Sequence, residues 1–182
     1  MLSFSKAILV VTAASLLSCA RSTPPPPEPD ALVASSHDLF THISGLIMRS
    51  ADKIPDDLWS YQPTPEVRTV GQLFAHIADG SNHICALAVG GEPAPGSVEK
   101  SATTKADIVA ALKREFAGCE ADYATMTPET AVQTIDVGGG QKRTRIAEMD
   151  YEVAHTWEHY GNLVTYMRLK GIVPPSSEPA AK

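Results

Sequence analysis

Residues Ile146–Lys170 read IAEMDYEVAHTWEHYGNLVTYMRLK. Apolar residues recur at helical spacing through Ile146, Met149, Val153, Trp157, Leu163, Val164 and Tyr166. The run begins after Thr144 and closes with Lys170-Gly171, where the glycine suits the left-handed position just past a helix end. The stretch is therefore a long helix with one apolar face. His155 and His159 lie four apart in it, so both imidazoles fall on one side, about 5–6 Å apart at Cβ. Tyr151, Glu152, Asn162 and Tyr166 share that side. An ordinary bundle helix would carry Leu or Ile there, because inward polar groups are costly unless paired or bound.

Three more helices precede this one. The first spans about Ala31–Lys53, with Leu32, Leu39, Phe40, Ile43, Leu46 and Ile47 on its apolar face, and Pro55 stops it. The second starts at Thr69, which with Gln72 forms a capping-box pattern, and runs through Leu73, Ile77, Ile84 and Leu87 to Gly90-Gly91. The third starts after Thr104, with Asp107 at the positive end of the dipole and Ile108, Leu112, Phe116 and Tyr123 on its face. The Pro-rich stretch Pro55–Arg68 joins helices one and two. Gly90–Thr103 joins two and three and is long enough to cross a bundle. Val132–Arg143 alternates weakly around Gly138-Gly139-Gly140 and reads as a small β-hairpin before helix four. The glycines form a turn; no Lys-Ser/Thr follows to make a phosphate loop. The predicted fold is all-α: a four-helix bundle with a long crossover between helices 2 and 3.

A third histidine, His76, falls between Leu73 and Ile77 on the apolar face of helix two. A lone histidine there is usually a satisfied core residue. Three from two facing helices, His76, His155 and His159, make an open metal site with a coordination position left over. Glu152, three residues before His155, can orient an imidazole or act as a base, with a solvated helix-face role equally open, and Glu158 is the other candidate for moving a proton. Asp79 is a candidate outer partner of His76, with an exposed surface role preferred. His83 can line the pocket or simply pack. His37 and His42 are five apart, point in different directions and are left out of the site. Trp59 reads as a packing anchor of the first connection. His155-Thr156-Trp157-Glu158-His159 also matches H-x-x-E-H, the inverted zincin pattern. Such peptidases need a larger domain with a downstream acidic ligand, and only 23 residues follow His159.

The ends carry addresses instead of core. Residues 1–18 combine Lys6 with an apolar Ala7–Leu17 run of about 11 residues, too short for a spanning helix of roughly 20. Leu16-Leu17-Ser18-Cys19 resembles a bacterial lipobox, which implies cleavage before Cys19 and lipidation of its thiol; an ordinary secretory signal is the alternative. Both export the protein. With Ala20 after the cysteine, the expected destination in a two-membrane host is the outer membrane, facing the periplasm. Residues 19–30, with Pro24–Pro27 and Pro29, read as a semi-rigid polyproline tether. Residues 31–175 are the bundle and 176–182 a disordered tail. The net charge of −6 and the lack of a basic patch exclude nucleic acid as a partner class. Cys85 and Cys119 both fall in helices in an oxidising compartment. A disulfide between the helices and two buried free thiols are both open, with the thiols preferred.

The segments Arg68-Thr69-Val70-Gly71-Gln72-Leu73-Phe74-Ala75-His76-Ile77, His155-Thr156-Trp157-Glu158-His159-Tyr160-Gly161-Asn162-Leu163 and Met167–Pro175 together resemble the DinB/YfiT-like family of metal-binding four-helix bundles. The resemblance spans most of Ser35–Pro175. It implies a divalent ion, zinc or nickel, on His76, His155 and His159, frequent homodimers, and in some members thiol-dependent transferase or isomerase chemistry. An exported chain departs from those relatives, whose thiol cosubstrates are cytoplasmic. The expected function is a metal-dependent hydrolase or transferase acting on a small molecule, attached to the membrane through Cys19. Its alternatives are a non-catalytic, stress-related periplasmic metal-binding lipoprotein and a metal-free interaction module at the membrane surface.

Overall fold

The computed structural model describes residues 29–102 and 104–179. The signal segment and most of the Pro-rich tether lie outside these residues. Among the described residues six helices follow in order: α1 (Pro29–Lys53), α2 (Val70–Ala88), α3 (Val98–Ser101), α4 (Lys105–Thr125), α5 (Pro128–Ala131) and α6 (Arg145–Leu169). Short 3-10 turns occupy Asp56–Leu58 and Pro175–Ser177. Strands β1 (Thr134–Asp136) and β2 (Lys142–Thr144) pair antiparallel, with Ile135 opposite Arg143. Among the described residues no helix is long and apolar enough to cross a membrane.

The helix starts follow from their caps. Thr69 accepts from the Gln72 amide at 3.2 Å while the Gln72 side chain accepts from the Thr69 amide at 2.9 Å, a complete capping box. Thr104 and Thr144 cap α4 and α6 through the amides of Asp107 and Ala147. Gly138, Gly139 and Gly140 have φ of 88°, 59° and 77°, three successive left-handed positions that only glycine occupies at low cost. They turn β1 into β2, so the predicted hairpin is present.

The four long helices close a ring in the order α1, α4, α2, α6. Helices α1 and α2 face each other across one diagonal, and α4 and α6 across the other. The long Gly90–Thr103 connection therefore joins neighbours, and the diagonal crossings fall to the segments before α2 and before α6. The reason is local. Asn82 of α2 binds both the amide and the carbonyl of Ala94 at 3.0 Å, and Asp79 accepts from Ser97 Oγ, Val98 N and Glu99 N. The connection is held along the flank of α2 and does not cross over.

Phe40, Ile43, Ile47, Phe74, Ile77, Leu112, Met149, Leu163 and Met167 are the fully buried heart of the core. Leu32 and Leu39, expected on the apolar face of the first helix, are about half exposed, at 45% and 52%. The buried stripe of α1 is narrower and centred on Phe40, which meets Phe116 edge-on and tilts against Tyr123. Trp59 is a packing anchor, stacked on Phe74 with its indole N–H donating to the Ile54 carbonyl.

Cys85 and Cys119 form a disulfide between α2 and α4, with Cα atoms 5.4 Å apart. This corrects the preference for free thiols. Both readings place the two cysteines inside, and the sequence gives no distance between the helices that carry them. Regular structure also continues past Pro175, where the bundle was expected to end: the Ser176 amide donates to Tyr160 Oη at 3.0 Å and Glu178 pairs with Lys53.

Candidate metal centre

His76 reaches inward from the middle of α2, and His155 and His159 from two successive turns of α6. Their Nε2 atoms converge: His155 to His76 is 3.3 Å and His155 to His159 is 3.1 Å. The rings stand at 59–86° to one another, like three vanes around a hub. Nitrogens held at about 2.0–2.1 Å around a tetrahedral ion are spaced about 3.3 Å apart. Hydrogen bonding cannot satisfy the same cluster, because the single Nε2 of His155 carries either one proton or one lone pair and faces two partners. The three histidines therefore fit a metal ion.

Burial and neighbours favour the neutral, ligating form. Burial first, then the adjacent imidazoles, push His155 down to about 4; burial, then His76 and Arg68, do the same for His159.

Two features fix His155. One is Gly80, one turn beyond His76 on α2. A Cβ there would run into the His155 ring, within 2.9 Å of Nδ1 and closer still to Cε1. The other is Glu152, fully buried beneath the ring. Its Oε1 accepts from Ser81 Oγ at 2.6 Å and Thr156 Oγ1 at 2.9 Å. Its Oε2 has no hydrogen-bond partner and lies 3.9 Å from His155 Nδ1, which has none either. A proton on that Nδ1 belongs between these two atoms, which leaves the Nε2 lone pair pointing at the hub. Burial pushes the Glu152 carboxyl up to about 7 against the pull of its two hydroxyl donors.

His76 has a comparable neighbour. Glu99 Oε2 stands 3.5 Å from His76 Nδ1, while its Oε1 accepts from Arg68 Nε at 2.9 Å. Glu99 arrives on α3, and α3 is pinned by Asp79. The candidate outer partner thus touches no imidazole; it holds the short helix that brings one.

Glu158 is exposed and lines an open cleft of about 500 Å3 together with Glu66, Arg68, Gln72, Glu99, His159 and Asn162. Glu152 lies on the opposite side of His155 from its Nε2 and is not part of that lining. His83 is exposed and joins neither site nor core. His37 pairs with Glu120 and His42 lies against Trp157, both away from the hub. Sequence reasoning missed Gly80, Ser81, Thr156 and Glu99. A glycine and a serine inside an apolar helix just beyond His76 are a readable signal. Glu99 has none, since it arrives through a loop whose path depends on Asp79.

Inward imidazoles from two facing helices, open on one side to a cleft, define the class: a helical bundle able to hold a metal ion in its core. The profile of the DinB superfamily matches residues 39–163, and the chain belongs to that superfamily. Among solved structures the fold is similar to the DinB-like protein YjoA of Bacillus subtilis, at 23% identity and a TM-score of 0.65 over 83% of this chain and 99% of that one. It is similar also to a DinB-like protein from Bacillus cereus, at 17% identity and a TM-score of 0.65 over 80% of this chain and 95% of that one. No curated protein matches the chain.

Proposed function

We propose that this protein is a metal-dependent hydrolase or group transferase acting on a small molecule, with zinc or nickel held by His76, His155 and His159. One observation carries the reading: the Nε2 atoms converge at 3.1–3.3 Å beside a cleft of about 500 Å3, so the hub is reachable from solvent. A divalent ion there supplies Lewis-acid polarisation of a substrate carbonyl or of water. The chain supplies the rest. Glu158, exposed at the cleft, accepts and returns the proton. Glu152 takes no part in that transfer; it holds His155 by its Nδ1 side, as Glu99 holds His76.

The same reading places the protein outside the cytoplasm, lipid-anchored through Cys19 and functioning as a homodimer. The Cys85–Cys119 disulfide supports an oxidising compartment. Location also favours hydrolysis over thiol transfer, since cytoplasmic thiols are not at hand.

Elemental analysis of untagged protein tests the centre: about one zinc or nickel per chain, lost in His76→Ala and in His155→Ala. Azide should then shift the visible spectrum of the cobalt-substituted form. Bound metal with no azide response would leave the non-catalytic metal-binding reading in place. Sedimentation of the anchored and cleaved forms would check the dimer.

A further inference from the structure

The cleft beside the hub is graded in charge. Its inner wall carries the edge of His159, 7% exposed, and Arg68, whose charge is shared with the adjoining Glu99. Arg68 is held at both ends. Its carbonyl accepts from Tyr166 Oη at 3.0 Å, and its Nε donates to Glu99 at 2.9 Å. The two terminal guanidinium nitrogens make no hydrogen bond among the described residues, so the planar fork is oriented by Glu99 and keeps its outer donors. The outer wall carries Glu66 and Glu158, both exposed and, among the described residues, neither engaged in a salt bridge. Apart from Val67 and Leu73 the lining is polar.

An apolar substrate would leave these groups unpaired. A simple cation would have to pass the acidic rim and then meet the guanidinium. A simple anion would satisfy the inner wall and face the two carboxylates outside. We propose that the cleft binds a small zwitterion, with its carboxylate or other oxyanion against Arg68 and its ammonium group at Glu66. An oriented guanidinium fork is the side chain best matched to a carboxylate, and the Glu66 carboxylate selects the ammonium end by charge. This rests on the metal reading to the extent that the reacting bond lies between the two ends, next to the hub.

Calorimetric titration of the full chain with β-alanine, propionate and propylamine tests the order of affinity, because the three share a three-carbon chain and differ in which charged end groups it carries. β-Alanine should bind tightest and propylamine weakest. Arg68→Gln should weaken β-alanine and propionate by about tenfold. The surface variant Glu66→Gln leaves both the core and the proton-carrying Glu158 untouched. It should weaken β-alanine by about threefold without weakening propionate. Equal affinities for β-alanine and propionate in the unaltered protein, propylamine binding tightest, or no binding by any of the three would overturn the proposal. Metal content measured on the same samples keeps the outcomes apart: one metal per chain without zwitterion preference sinks the substrate class alone, and absence of metal sinks the centre.

Discussion

Gly80 and His155 occupy adjoining space: the imidazole of α6 lies where any side chain on that turn of α2 would project. Gly80→Ala sets two effects against each other. Alanine improves a helix interior by about 1 kcal/mol, and overpacking against a ring costs about 1–3 kcal/mol. The ring cannot retreat without leaving the hub, so the clash should win. The variant should keep its helical circular dichroism, unfold at slightly lower denaturant and bind markedly less metal. Full metal content in Gly80→Ala would show that His155 has another way in.

Glu152→Gln keeps the shape and an acceptor for Ser81 and Thr156, and replaces the oxygen facing His155 by an amide donor. Two donors then meet at Nδ1, which favours the wrong tautomer. Metal affinity should fall about 10–100-fold, read by competition with a chromogenic chelator. An unchanged affinity would mean that Glu152 serves the core and not the imidazole.

Asp79→Ala removes three hydrogen bonds at the start of α3 and should cost about 2 kcal/mol. The further effect is at a distance, because α3 carries Glu99. Protection of the α3 amides from hydrogen exchange should drop, and Arg68→Gln added to Asp79→Ala should cost the cleft less than Arg68→Gln alone. Strict additivity would count against the route through α3.

The disulfide closes a loop of 34 residues, which in the chain-entropy account contributes about 4 kcal/mol. Cys85→Ala/Cys119→Ala should lower the unfolding midpoint accordingly while leaving metal stoichiometry unchanged, since neither sulfur touches the histidines.

In chelator-treated protein, folding stability should rise with pH between about 4 and 6.5. His155 and His159 titrate near 4 when folded, against an ordinary 6.5. Across that window the unfolded chain binds more protons, so the stability they contribute is complete above 6.5 and is lost as pH falls towards 4. Glu152, raised from 4.5 to about 7, works in the opposite sense between those values. Two histidines against one carboxyl leave a net rise, and Glu152→Gln should steepen it. Chemical denaturation of the metal-free form at several pH values reads the slope; a flat profile in both forms would contradict it.

Much of this was legible in the residues. Helix periods depend on which neighbours share a face, and the caps at Thr69, Thr104 and Thr144 depend on residues three positions away. Both are local, so both are readable. The histidine pair on α6 is local too. His76 became part of the same cluster only through the assumption that two apolar faces meet, which in this bundle they do. What escaped the reading depends on distances between elements far apart in the chain. The order of helices around the ring is one case, set by Asp79 and Asn82 holding the Gly90–Thr103 segment to α2. The disulfide is another, since a buried cysteine in a helix reads alike whether or not a partner stands opposite. Glu99 is the third, placed beside His76 by a four-residue helix with no signal of its own.

Helix α2 is fastened on both flanks by different chemistry. Towards α4 the fastening is covalent and answers to reductants. Towards α6 it includes three imidazoles, a link that a bound metal would tighten and a chelator would loosen. A non-thiol reductant and a chelator would act on opposite flanks of this one helix, whereas a thiol would act on both, since thiolates also compete for the metal. With a metal bound, redox state and metal supply would thus both be read out on the same helix.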